Sequence, residues 1–309
     1  MLIDTHAHLN FNAYKADFEE VIKRTLGNDV WMINVGTQYD TSKKAVQIAE
    51  KYKKGVYAAI GLHPIHLPES QRRVLDEGQP PHRRETGLVK IKLDPEEIGE
   101  EESKSIRSFP PSLLRSKSSV FDYQKYKELA KSEKVVAIGE IGLDYYYKPK
   151  TKRKLELFKE KQRTGLCQQL DLAKELNLPV IFHCRMAHDD LINFLLSQQF
   201  LRSWKTLTGV IHCFSGDWKQ AQKYLEMGFY LGFNGLIFKM DFGEIIRKTP
   251  LDKILIETDC PYLTPPQVEG RNEPIYVKYV AERIVEIKKI SYEEISRITT
   301  ENAKKLFKI

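Results

Sequence analysis

An alternation constrains this chain most. Short runs rich in β-branched and other apolar residues recur between longer stretches whose apolar residues fall every three to four positions. The runs occupy residues 2–5, 30–35, 56–60, 135–139, 179–182, 210–212, 230–233 and 254–257, each followed by polar or Gly/Pro-bearing sequence. The intervening stretches include 17–26, 41–52, 155–176 and 217–227, where spacings such as Leu166, Leu170, Ala173 and Leu176 line one face of a helix. Such alternation reads as βα units that build a parallel sheet. Eight units predict an α/β fold, a (β/α)8 TIM-like barrel, and 309 residues suit one such barrel as a single domain, 1–309.

One segment interrupts the pattern. Residues 70–119 carry Pro80, Pro81, Pro95, Pro110, Pro111, eight serines and the acidic run 100–102, which predicts a flexible inserted loop between the third and fourth strands. It holds ten Lys/Arg and nine Asp/Glu, so the formal net charge of +7 belongs mostly to the rest of the chain. That mild excess would draw a polyanionic substrate by long-range attraction, and equally suits an ordinary surface. No apolar run approaches the roughly 18 residues of a membrane span, and the start, MLIDTHAHLN, lacks the basic and apolar regions of a leader. A cytoplasmic protein without membrane contact is therefore expected. Cys167, Cys184, Cys213 and Cys260 form no CxxC pair and read as reduced thiols.

The chemistry-bearing residues gather where the strand candidates end. His6 and His8 lie two apart in an extended segment and so face one side. Glu140, His183, His212, Glu257 and Asp259 stand at the carboxyl ends of four later strands. In a barrel those ends converge on one face, the usual place for catalytic side chains. Four histidines with at least two carboxylates exceed what one tetrahedral zinc ion uses, whereas two ions sharing a carboxylate would use them all. Two divalent metal ions are expected, and the mixed imidazole and carboxylate donors suit Zn or Mn and also admit Mg.

These residues lie in an ordered set of motifs: Asp4-Thr5-His6-Ala7-His8, Gly61-Leu62-His63-Pro64, Gly139-Glu140-Ile141-Gly142-Leu143-Asp144-Tyr145, Phe182-His183-Cys184-Arg185, His212-Cys213-Phe214-Ser215-Gly216, Glu257-Thr258-Asp259-Cys260-Pro261-Tyr262 and Arg271-Asn272-Glu273-Pro274. In that order the chain resembles the TatD-type metal-dependent deoxyribonucleases of the amidohydrolase-like superfamily, over nearly its whole length outside the insertion. The resemblance implies that His6, His8, Glu140 and Asp259 hold one ion. It also implies that Glu140, His183 and His212 hold the second, with Glu140 bridging. It further implies hydrolysis of DNA, in the 3′-to-5′ direction, by a metal-activated water.

Within that reading Asp259 orients or deprotonates the water, with Glu257 as the alternative base. His63 would donate a hydrogen bond to a phosphate or to the departing oxygen, or else only fix its loop beside Pro64. Arg185 would pair with a phosphate, or with Asp189 or Asp190. Asp144, read in a Gly142-Leu143-Asp144 turn, would support a ligand or bind substrate. Tyr145, Tyr146 and Tyr147 would stack bases, or pack at least one ring into the rim. His66, His82 and His188 receive no role. DNA is the expected partner, and no obligate protein partner is evident. Two other readings remain: hydrolysis of a cyclic amide, lactone or aminoacyl ester on the same centre, and a non-catalytic nucleic-acid-binding scaffold.

Overall fold

The computed structural model describes residues 1–67 and 121–309, so the 70–119 insertion and His82 lie outside the described residues. Eight parallel strands run in sequence order: β1 Leu2–Ala7, β2 Val30–Val35, β3 Val56–Ile60, β4 Val135–Asp144, β5 Val180–Arg185, β6 Gly209–Ile211, β7 Tyr230–Phe233 and β8 Ile254–Ile256. Each pairs with the next from β1–β2 to β7–β8. The sheet curls until β8 meets β1. Ala7 bridges Cys260, Thr5 Oγ1 donates to the Ile256 carbonyl at 3.1 Å, and the Asp259 amide donates to the His6 carbonyl at 2.9 Å. The result is a nearly closed TIM-like barrel with helices between the strands.

The strands form because they are buried on both faces and apolar on both. Alternate residues Ile3, Ile33, Val35, Ala59, Ala137, Ile181, Val210 and Leu255 pack together, while the other set, including Met32, Ala58, Ile138, Phe182 and Ile256, joins the larger core beneath the helices. The helices that carry the argument are α1 Phe18–Gly27, α2 Tyr39–Glu50, α3 Tyr123–Leu129, α4 Lys152–Leu176 and α5 His188–Leu195. After them come α6 Gln198–Ser203, α7 Trp218–Glu226, α8 Gly243–Lys248, α9 Val277–Lys288 and α10 Tyr292–Phe307. The last of these spans the amino ends of the strands. Thr300 Oγ1 donates to the Met1 carbonyl and Asn302 Nδ2 to the carbonyls of Leu251 and Ile254. Ala303, Leu306 and Phe307 close the core there, and burying the last two contributes about 1.5–3 kcal/mol each.

The largest departure from the sequence reading is β4, which continues through Glu140 to Asp144 instead of stopping at Gly139. Glycines are depleted in strands and read as turns. Here Gly142, at φ +148°, is required by close approach: a Cβ on it would lie 2.0 Å from the His183 carbonyl oxygen on β5. Asp144 therefore ends a strand, with Arg185 as its register partner on β5. Among the described residues, no helix is long and apolar enough to cross a membrane.

Candidate metal centre

At the carboxyl end of the barrel a cavity of about 640 Å³ is lined by His8, His63, Glu140, His183, His212 and Asp259 among others. Among the described residues four groups of donor atoms lie there, each within 4.8 Å: His6, His8 and Asp259; Glu140, His183 and His212; His6, His212 and Glu257; and His63, Asp144 and His183. Glu140 stands between the first two. Its Oε2 is 3.4 Å from His6 Nε2, while its Oε1 is 2.6 Å from His183 Nδ1 and 3.1 Å from His212 Nε2. Asp259 Oδ1 lies 3.4 Å from His8 Nε2 and 3.9 Å from His6 Nε2. The six side chains that the resemblance singles out thus share one small volume.

The chemistry of these donors fits a cation. His8 Nδ1 lies 2.8 Å from the Val35 carbonyl, which can only accept, so this nitrogen is the donor and His8 Nε2 presents a lone pair in the neutral ring. That lone pair faces His6 Nε2 at 3.1 Å and two carboxylates. Such a cluster of inward-facing acceptors is what divalent ions satisfy. Burial alone would push the Glu140 carboxyl up, yet His212, His63 and His183 hold it well below the usual carboxylate range. Asp259 is likewise held down against burial, by His8, His212 and His6. Both stay ionised, as ligands must.

Behind two of the imidazoles, His212 and His183, stands a carboxylate, while the buried His6 Nδ1 has no hydrogen-bond partner among the described residues. His212 Nδ1 is 3.1 Å from Glu257 Oε1, which also accepts from the Cys213 amide at 2.6 Å and from Asn234 Nδ2 at 3.2 Å. Glu257 is fully buried, with its Oε2 against Gly232, where a Cβ would lie 2.5 Å from it, and a carboxylate oxygen lies within 4.8 Å of donor nitrogens of His6 and His212. His183 Nε2 is 3.1 Å from Asp144 Oδ2, which also accepts from Arg185 Nε at 2.8 Å and Nη2 at 2.7 Å. The opposite Asp144 oxygen caps the Tyr146 amide at 2.9 Å. His183 and Arg185 lower the Asp144 pKa despite burial. Carboxylate–histidine pairs of this kind fix ring orientation in metal sites.

His63 is set by its own loop. Its Nδ1 accepts from the Ile65 amide at 3.0 Å, so in the neutral ring Nε2 carries the proton and faces Glu140 Oε1 at 3.5 Å. Burial lowers its pKa to about 4, which keeps it a neutral donor near pH 7. Tyr145 is buried, while Tyr146 and Tyr147 are half-buried; the Arg185 guanidinium sits 4.6 Å from the Tyr146 ring centroid. Asp190 is paired with Lys159 at 2.8 Å.

Several supports escaped the sequence reading. Gln162 and Gln169, seven apart on α4, each clamp a backbone with a paired amide: Gln162 holds Asp144 at 2.9 Å in both directions, and Gln169 holds Leu62, next to His63, at 2.7 and 3.0 Å. Their signal was two polar residues two turns apart on a face otherwise apolar. Asp4 ties β1 to the β8 loop: its Oδ1 accepts from the amides of His6 and Thr258, and its Oδ2 from Thr258 Oγ1 at 2.6 Å. Burial pushes its pKa up to about 8 despite those donors. Asn272 Nδ2 donates to the carbonyls of Thr258 and Tyr262, locking the same loop from the other side.

The TatD related DNase family model matches residues 3–308 of this sequence. The chain belongs to the TatD family. A TatD relative in Bacillus subtilis, the uncharacterized metal-dependent hydrolase YabD, is 39% identical over 314 residues, covering 100% of both chains. Deoxyribonuclease TATDN3 of Homo sapiens is 30% identical over 308 residues, covering 99% of this chain and 94% of its own. Among solved structures, the TatD homologue YjjV of Escherichia coli superposes with a TM-score of 0.72 at 26% identity, covering 100% of this chain and 98% of that one.

Proposed function

We propose that this TatD-family chain is a metal-dependent phosphodiesterase that removes nucleotides from DNA, in the 3′-to-5′ direction the sequence resemblance implies, at a centre of two divalent ions. The observation that carries this reading is the convergence of His6, His8, Glu140, His183, His212 and Asp259 beside a rim bearing Arg185, Lys148 and Lys159. When bound, the ions supply Lewis acidity that makes water a nucleophile near neutral pH and neutralises charge on phosphoryl oxygens. His6, His8, Glu140 and Asp259 would hold one, and Glu140, His183 and His212 the other.

The chain's own groups divide the remaining work. Asp259, ionised and at the cavity wall, accepts the proton of the attacking water. Glu257 suits a positioning role better than that of base, because it is fully buried behind His212 with Oε1 shared among His212, Cys213 and Asn234. His63 presents Nε2–H to a phosphoryl or departing oxygen. Asp144 holds His183 and Arg185 together and serves as a positioning group, leaving Arg185 to meet the phosphate from beside the Tyr146 ring. Rim cations favour a phosphodiester over the neutral carbonyl of an amide or lactone. The barrel with residues 70–119 inserted works, in this reading, as one hydrolase domain in the cytoplasm, with no obligate protein partner.

The test is hydrolysis of a 5′-labelled single-stranded DNA with Mg2+, Mn2+ or Zn2+, beside chelator-treated protein and Asp259→Asn. The expected result is a metal-dependent ladder shortening from the 3′ end and absent in the variant. Absence of cleavage by metal-loaded protein that hydrolyses an aminoacyl ester would move the function to carbonyl substrates.

A further inference from the structure

Among the described residues the cations that line the cavity come from the sector after β4 and β5, Lys148, Lys159 on α4 and Arg185, beside Asp189, Asp190, Tyr145, Tyr146, Leu155 and Met186. The sector after β7 and β8, three strands further round, contributes Leu236, Met240, Tyr262 and Leu263, with Asp259 as its one charged group. Met240 is 38% exposed, the largest exposure in that sector for a side chain with no charge to hydrate. A thioether on three rotatable bonds conforms to flat rings of any outline.

This sector is tied to the centre by hydrogen bonds. Leu236 lies in the 3-10 turn Gly235–Phe238, Met240 lies two residues beyond it with its amide donating to the Leu236 carbonyl at 3.1 Å, and Tyr262 and Leu263 lie in the loop after β8. Asn234 caps that turn, its Oδ1 accepting from the Leu236 amide at 3.1 Å, while its Nδ2 donates to the Glu257 oxygen that holds His212. The two loops touch backbone to backbone: a Cβ on Gly235 would lie 1.8 Å from the Leu263 carbonyl oxygen. Leu263 is held at φ +54°, a left-handed conformation that costs a branched side chain energy and persists where neighbours fix it. Leu236 and Met240 are thus held in register with the imidazole of His212.

We infer that the β7–β8 sector is a nucleobase subsite, a sequence-tolerant apolar shelf of Leu236, Met240, Tyr262 and Leu263 that takes the base of the terminal nucleotide. This rests on the phosphodiesterase reading above. A cavity of about 640 Å³ has room for a nucleotide or two and none for a macromolecular surface. With the backbone phosphate drawn to Arg185 and Lys148, a base attached to the same sugar reaches across the centre to the side that carries no cation among the described residues. Stacking on an aromatic and apolar face accepts all four bases, because each has a π-face. Asp189 and Asp190, which follow β5 beside Arg185, and Asp217, which follows β6, are already engaged with the Gln220 side chain, Lys159 and the Gln220 backbone amide respectively.

The experiment pairs two single-stranded DNAs that differ only in whether the 3′-terminal nucleotide carries a base or an abasic tetrahydrofuran. The wild-type protein with Mn2+ is expected to prefer the base-bearing end by on the order of tenfold in kcat/KM, through KM. Met240→Ala is expected to shrink that preference to about threefold or less, and Met240→Leu to keep it. Equal rates on both ends, or a preference untouched by Met240→Ala, would overturn the shelf. Binding of dAMP against deoxyribose 5-phosphate to the Mn2+-loaded protein, followed by calorimetry, decides the shelf without turnover: equal affinities overturn it. Absence of any cleavage with dAMP still bound more tightly, and less so in Met240→Ala, would remove the phosphodiesterase reading while upholding the base subsite.

Discussion

The two ends of this barrel are built by the same eight strands and filled with opposite chemistry. At the amino end, α10 lays Ala303, Leu306 and Phe307 over an apolar plug that includes Ile3, Ile33 and Leu255. Toward the carboxyl end lie His6 and His183 in the carboxyl halves of β1 and β5, Glu140 within β4, and the residues just past β6 and β8, all buried or nearly so. One end gains stability from removing apolar surface from water. The other gathers ionisable groups whose desolvation must be offset by one another and, in use, by cations. The same fold therefore separates what holds it together from what it does, a division expected where catalytic groups sit at strand carboxyl ends.

Three substitutions would sharpen or break that division. Glu140→Ala removes the group between both donor sets, and activity is expected to fall on the order of 10⁴-fold, the scale of losing one member of a cooperating catalytic set. Metal content by elemental analysis should fall with it, while the circular dichroism spectrum stays that of the folded barrel. Unchanged metal occupancy would remove Glu140 from its bridging place. Phe307→Ala at the opposite end is expected to cost about 3 kcal/mol in urea unfolding and to leave activity per folded molecule as it was. A loss of turnover in the folded fraction would show that the ends are coupled. Glu257→Gln is the mildest: it keeps the size of the group but removes the charge behind His212. A loss of about 10- to 100-fold in Mn2+ affinity or kcat/KM is expected, the range for partners behind a ligand. A loss as deep as that of Asp259→Asn would restore Glu257 as a base.

Most of the architecture could be read from residue order, because a barrel is a local grammar repeated. Strands β2, β3 and β7 match the apolar runs residue for residue. The exception is instructive. Gly142 carries the local signature of a turn, yet β4 passes through it, because the neighbouring strand leaves no room for a side chain there. The side chains brought together at the centre were visible for a related reason: each stands in the carboxyl half of its own strand or just past it, so topology alone gathers them. Their partners were not. That Asp144 faces Arg185 and His183 follows from the β4–β5 register, and that Asn234 reaches Glu257 follows from the curl of the sheet. Neither is a property of any window of sequence. Asp4 was read as part of a motif, while its grip on Thr258, 254 positions away, exists only once the barrel closes.

That grip has a consequence for how the metal site is completed. The β1–β8 seam is sealed by Asp4 on Thr258, His6 on Asp259 and Ala7 on Cys260, and then locked by Asn272. His6 and His8 stand more than 250 positions from Asp259 in the chain and meet it only across this seam. Competence to bind metal through both strands is thus a property of the closed barrel, and appears in the same event that pairs the open edges of β1 and β8.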